Sequence, residues 1–181
     1  MRIGMGCRTG DYFKEVELLL GGMAVSRKTE GDKSSEIDLL TYAIMDALLG
    51  AAALGDVERQ FVETDPGYKE KESLELLERV GEILEERLYV ISNIDAAVIA
   101  PNLNVSCYIE PIQKNIAQAL HIRVDQVNIK KMQAGLGMIL AEGQVAAQAI
   151  VSLDSIENFS YSVDMPAAER NCSGCHGCAR S

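Results

Sequence analysis

Tryptophan is absent from the 181-residue chain and aromatic residues make up only 5% of it, so recognition built on stacked rings is excluded as a main mode. Basic residues are outnumbered: 17 lysines and arginines stand against 27 aspartates and glutamates, a formal net charge of −10. Such a surface repels nucleic-acid phosphates and anionic lipid headgroups, which excludes nucleic acid and membrane as partners. No apolar run approaches the roughly 20 residues a bilayer span needs. The longest, around Ala43–Leu54, is interrupted by Asp46. No leader with an apolar core is visible either, because Met1-Arg2-Ile3-Gly4 runs directly into glycine-bearing sequence. The expected compartment is the cytoplasm. Histidine is scarce too: His121 and His176 are the only two.

What is present is an ordinary globular composition, 48% hydrophobic, long enough for one domain with a sizeable core. Val16–Leu20, stopped by Gly21-Gly22, reads as a buried strand and turn. Apolar residues at Ile37, Leu40, Ile44 and Leu48 predict one helix from about Ser35 to Leu54, capped by Ser34 or Ser35 and stopped by Gly55. Thr64-Asp65-Pro66-Gly67 is a turn signature. A second helix is predicted over Ser73–Arg87, its acidic face solvated, then a β-branched strand over Tyr89–Ile99. Glu110–Leu120 reads as a helix that His121 closes, Val124–Lys131 as a strand, and Gln144–Leu153 as the last strand. Alternating strands and helices give an α/β class, an α+β sandwich with a mixed sheet. The domain is drawn at 1–153, with 154–181 as an appended tail.

The run Asp46-Ala47-Leu48-Leu49-Gly50-Ala51-Ala52-Ala53-Leu54-Gly55-Asp56 resembles the long helix of the 2-C-methyl-D-erythritol 2,4-cyclodiphosphate synthase family. Met1-Arg2-Ile3-Gly4, Leu18–Gly22, Phe61 with Thr64-Asp65-Pro66, Val127-Asn128-Ile129-Lys130 and Glu142-Gly143 resemble further segments of it in order. The resemblance covers about residues 1 to 153. It implies helices on one face of the sheet, a homotrimer, and active sites in clefts between subunits.

The resemblance also implies where the chemistry should lie. The family holds a catalytic zinc with an aspartate-x-histidine pair after its first strand and a histidine on the long helix; here those positions are Arg8, Gly10 and Tyr42. A protonated guanidinium, a residue without a side chain and a phenol make a poor zinc set. Ser34 replaces a further family histidine. The family's cytidine-holding segments correspond to Leu103-Asn104-Val105-Ser106 and Met132-Gln133-Ala134-Gly135, and Leu140 stands where the family has an arginine. Lys130 and Lys131 are the cations left for a diphosphate. Asp38, Asp46, Asp56, Phe61 and Asp65 match family positions around the polyol part of the substrate. They read either as a retained sugar-alcohol pocket or as residues kept for the core and the trimer, Asp56 doubling as a turn residue.

The resemblance leaves Cys172-Ser173-Gly174-Cys175-His176-Gly177-Cys178 unexplained. Three thiols at this spacing, with glycines between, can wrap one metal centre: zinc held by Cys172, Cys175, Cys178 and His176, or an iron–sulfur cluster. The fourth cluster ligand would be Cys7, Cys107, another subunit or a small molecule. Cys172-x-x-Cys175-His176 also spells a haem c attachment pattern, but that chemistry needs export and ranks below the other two. A merely reactive tail is the plain alternative. Cys7 and Cys107 are expected to be small buried apolar residues, and Arg8 and Arg123 to be weak anion-binding candidates. The expected function is that of a non-synthase member of the family, a trimeric scaffold with a metal or cluster centre and a protein or redox partner. The alternative is an enzyme, either the synthase itself or another small-molecule activity in the same cleft.

Overall fold

The computed structural model describes residues 1–11, 18–25, 38–61, 67, 72–101, 103–133 and 143–156. A four-stranded sheet runs in the order β1 (Arg2–Asp11), β6 (Gln144–Ser155), β4 (Tyr89–Ile99), β5 (Val127–Lys131). β1 and β4 flank β6 antiparallel, whereas β5 lies parallel to β4, so the sheet is mixed as the sequence predicts. A short hairpin, β2 (Leu19–Leu20) and β3 (Met23–Ala24), turns at Gly21 and Gly22, both with positive φ. The helices are α1 (Leu39–Ala51), α2 (Val57–Phe61), α3 (Ser73–Glu86) and α4 (Ile109–Ala119). α4 carries the crossover that a parallel β4–β5 pair requires. No described helix is long and apolar enough to cross a membrane.

Side-chain parity sorts the sheet into two faces. Gly4 and Gly6 of β1, Ala147, Ala149 and Val151 of β6, and Ile94, Ala96 and Val98 of β4 are buried under the helices. α1 is buried on most of its circumference, with Leu40, Ala43, Ile44, Ala47 and Leu48 excluded from solvent. It presses so closely on β1 that a Cβ on Gly4 would collide with the backbone of Ala47 and Ala51, and one on Gly6 with that of Ala43. α3 buries Leu76, Leu77, Val80, Ile83 and Leu84, and α4 buries Ile112, Ile116 and Ala117, each leaving a polar face outside.

The helix boundaries correct the sequence reading. α1 begins at Leu39, and its cap is Asp38, whose carboxylate accepts from the Thr41 amide at 3.0 Å; Ser34 and Ser35 lie outside the described residues. It ends at Ala51, ahead of Gly55, because Ala53 takes a left-handed φ of 61°. The amides of Ala53 and Leu54 then turn back to the carbonyls of Gly50 and Leu49. α4 ends the same way: His121 (φ 52°) and Ile122 bond back to Gln118 and Ala117. Leu88 (φ 60°) follows α3 with its amide on Glu85. Three helices therefore stop on residues other than glycine. The strand expected from Val124 starts at Val127, since Val124–Gln126 forms a 3₁₀ turn. β6 runs to Ser155, so the sheet extends two residues past the point drawn at 153.

The glycine contact gives a direct test. Gly4→Ala should destabilise the chain by about 3 kcal/mol or prevent folding, the cost of forcing atoms into a packed core, measured by urea denaturation against wild type. A change below about 1 kcal/mol would mean the strand–helix contact is looser than described.

Candidate functional site

The parity that sets Gly4 and Gly6 against α1 also aims Arg8 at that helix. Gly4 and Gly6 meet the Ala43–Ala51 stretch, and Gly10 meets Leu39, so Arg8 between them reaches Tyr42 and Asp46, one turn apart. Arg8 Nε donates to Asp46 Oδ2 at 2.6 Å and Nη2 to Asp46 Oδ1 at 3.0 Å. On its other edge Nη1 donates to Glu58 Oε1 at 2.8 Å and Nη2 to Glu58 Oε2 at 2.9 Å. The guanidinium carbon lies 5.7 Å from the centroid of the Tyr42 ring. Two carboxylates thus grip one guanidinium bidentately, the geometry in which arginine differs most from lysine. The Glu58 hydrogen bonds, and after them the bonds and charge of Asp46, raise the affinity of Arg8 for its proton against the opposing effect of burial. With one cation and two anions, the cluster carries a net negative charge.

Asp46 also accepts from the Val57 amide at 3.2 Å, and Asp56 Oδ1 accepts from the Arg59 amide at 2.8 Å. Both carboxylates therefore hold the start of α2, and α2 holds Glu58 over Arg8. Phe61, at the end of α2, is 3% exposed and belongs to the core. Asp38 is fully buried. It accepts from the amides of Gly21, Gly22 and Thr41 and from the hydroxyls of Thr41 and Ser73, at 2.6–3.0 Å. Five donors replace the water an isolated carboxylate would lose, and they tie the hairpin, α1 and α3 to one point.

Lys130 stands apart from this cluster. It pairs across the sheet with Ala97, on the face without helices, and its Nζ reaches Asp95 Oδ2 at 2.5 Å. The Lys130 hydrogen bond holds the Asp95 carboxyl below its ordinary range, helped by Asn128. Lys131 Nζ donates to the Leu103 carbonyl at 3.0 Å, and Arg123 is occupied by Asp125. The structure thus brings together Arg8, Tyr42 and Asp46 and sets Asp56 beside them; Gly10 shares their face of β1. Within one chain it does not bring Lys130 to them.

Asp65, Cys172, Cys175, His176 and Cys178 lie outside the described residues. Among the described residues no three histidine, cysteine, aspartate or glutamate side chains come together as a metal set. Cys7 and Cys107, expected buried, are exposed. Cys7 has odd parity on β1 and points away from α1, and Cys107 sits in the 3₁₀ turn before α4. Glu58 escaped sequence reading. Its signal was the short acidic start of α2 just after Asp56, which gains meaning only once Arg8 is seen to face it.

The network predicts a clear mutational order. Arg8→Met leaves two carboxylates without their cation and should cost about 2 kcal/mol. Arg8→Lys keeps the charge but not the fork and should recover less than half of that loss in chemical denaturation. Equal stability for all three proteins would remove the network's structural role.

Comparison with known proteins accords with this architecture. The profile of the YgbB family matches residues 1–154. A 2-C-methyl-D-erythritol 2,4-cyclodiphosphate synthase of Lachnospira eligens is 43% identical over 180 residues, covering 98% of both chains. One from Clostridium perfringens is 43% identical over 154 residues, covering 84% of this chain and 99% of its own. Among solved structures, the bifunctional IspDF of Campylobacter jejuni superposes with a TM-score of 0.73 at 29% identity. That match spans 85% of this chain and 42% of the longer one. A chain that matches the family profile over residues 1–154 and shares this identity with its members belongs to the YgbB family, that of the 2-C-methyl-D-erythritol 2,4-cyclodiphosphate synthases.

Proposed function

We propose that this chain keeps the family's architecture without its zinc-dependent step, and serves as a trimeric scaffold whose C-terminal thiols bind zinc or an iron–sulfur cluster. The observation that carries this reading is the filled fork of Arg8. The family resemblance sets the zinc ligands at positions 8, 10 and 42, and Arg8, Gly10 and Tyr42 do not fit that ion. The guanidinium stays protonated, Gly10 offers no donor, and the Tyr42 ring lies against a cation. A divalent ion near Asp46 would have to displace four hydrogen bonds between Arg8 and its two carboxylates. Nor is Arg8 a free cation for a diphosphate, and Lys130 is already neutralised by Asp95. Asp38, Asp46 and Asp56 are engaged in capping and bridging, which favours a structural role for the supposed polyol pocket.

The trimer is supported by the face of the sheet that no described helix covers. Ile3, Met5 and Ile150 lie there on adjacent strands, 63%, 73% and 53% exposed, with Cys7 next to them. A contiguous apolar patch on a paired sheet is a surface for another subunit. Met5→Asp should convert a trimer to monomers in sedimentation velocity while leaving the circular dichroism intact. A trimer that persists would place the interface elsewhere.

A second reading, an active cyclodiphosphate synthase or another enzyme in the same cleft, is favoured by the names of relatives at 43% identity. Elemental analysis and absorption of protein purified without oxygen, with a thermal-shift series in cytidine phosphates, separate the two. The scaffold reading expects iron or zinc that disappears in the Cys172→Ser, Cys175→Ser, Cys178→Ser triple variant, and no shift with nucleotide. Metal retained by the triple variant, or zinc-dependent release of cytidine monophosphate, would overturn it.

A further inference from the structure

Two recesses line the groove between α3 and α4. One, of about 410 Å³, lies at the C-terminal ends of both helices, with Gly81, Leu84, Leu120 and Ile122 as its apolar wall and the exposed Glu85 beside them. The other, of about 360 Å³, lies nearer the start of α3. It has Glu75 and Glu78 on the α3 side and Asn115 and Gln118 on the α4 side. His121 lines both recesses and joins them, its Nε2 3.3 Å from Glu78 Oε1. α3 and α4 lie over the sheet face opposite Ile3, Met5 and Ile150, so a trimer closed on those residues does not require this groove.

Gly81 is the unusual member of the wall. Glycine inside a helix weakens it relative to alanine, and Gly81 does not take a positive φ that would call for glycine. Beyond its own turn of helix, an added methyl would meet Leu120 alone, at 3.4 Å, an ordinary contact. Neither backbone nor packing therefore demands glycine here. Its effect is to leave the recess open between α3 and Leu120.

Charge along the groove is one-sided. Arg79 is taken by Glu82 and Glu86, and Glu78 has His121. Among the described residues Glu75 and Glu85 have no ion pair, and they stand about 15 Å apart along the helix axis, one at each recess. Unmatched carboxylates at both ends of an apolar wall complement a segment with cations at its ends and apolar side chains between. A small polyamine would match the charge and leave the wall uncovered.

We propose that this groove docks a cationic amphipathic segment of a partner protein, with Lys or Arg side chains at Glu75, Glu78 and Glu85 and apolar ones against Leu84, Leu120 and Ile122. The proposal gives the scaffold a class of partner, and it stands whether or not the C-terminal thiols hold a metal.

The test is selection from a display library of random peptides, each about 12 residues and so able to span three helical turns. The full-length protein is the target, and the Glu75→Gln, Glu78→Gln, Glu85→Gln triple variant is the subtracting surface. Enriched sequences should combine two or more basic residues with apolar ones. Their synthetic forms should bind at least about tenfold more weakly to the triple variant, and more weakly again as salt is raised. Gly81→Ala should raise the urea midpoint yet weaken the peptides severalfold, a split that a purely structural glycine would not give. Gly81→Leu should abolish binding; if that variant fails to fold, the alanine variant decides. Metal content of the same preparations is scored separately, so the loss of one reading leaves the other standing. A selection without basic sequences would overturn the proposal, as would peptides held equally by the triple variant or unaffected by the Gly81 variants. Spermine competing as well as the peptides bind would also overturn it, marking a site for small polycations.

Discussion

The closest constraint in the molecule is the approach of β1 to α1. Backbone meets backbone where Gly4 and Gly6 face Ala43, Ala47 and Ala51, with no room for a methyl group. This contact fixes the height of the helix above the sheet, and every longer side chain on that face must reach sideways from it. Arg8 does so, and its reach ends between Asp46 on α1 and Glu58 on α2. The same spacing brings the Arg8 guanidinium against the Tyr42 ring. A strand of small residues and a helix of alanines thus set the dimensions of the charged corner.

Charge is organised around that corner by internal pairing. Arg8 answers Asp46 and Glu58, Lys130 answers Asp95, and Asp38 accepts from five hydrogen-bond donors. A guanidinium differs from a metal ion in what it leaves available. A metal keeps an open coordination position for a ligand oxygen, whereas the fork of Arg8 is spent on protein carboxylates. The corner therefore acts as a strut for α2.

Legibility followed the physics. α3, α4, β4 and β6 showed themselves through period alone, because each buries one face or is buried on both. The start of α1 did not. Asp38 caps it with a carboxylate that also serves the β2–β3 turn and Ser73, and those long-range donors have no local trace. The end of α1 was set too late, at Leu54, because Ala53 adopts the left-handed conformation that sequence reading reserves for glycine or asparagine, whereas the ends of α3 and α4 fall within one residue of the expected Arg87 and Leu120. The family resemblance marked positions 8, 10 and 42 but not the partners of the side chains there. Arg8 needed the parity of β1 and the placement of α2 before Glu58 could be seen as its second partner. Cys7 was misjudged for a similar reason: its burial depends on which face of an edge strand it takes.

Among the described residues β1 is an edge strand, hydrogen-bonded to β6 alone. Edge strands are prone to sliding, and a slip of one residue exchanges their faces. Here such a slip would drive Met5 and Cys7 into the backbone of α1, where even alanine is refused, and would swing Arg8 away from Asp46. Gly4 and Gly6 therefore act as a key cut to a single position. They make the alternative pairings sterically void, and a strand held from one side only is left with little freedom to misalign.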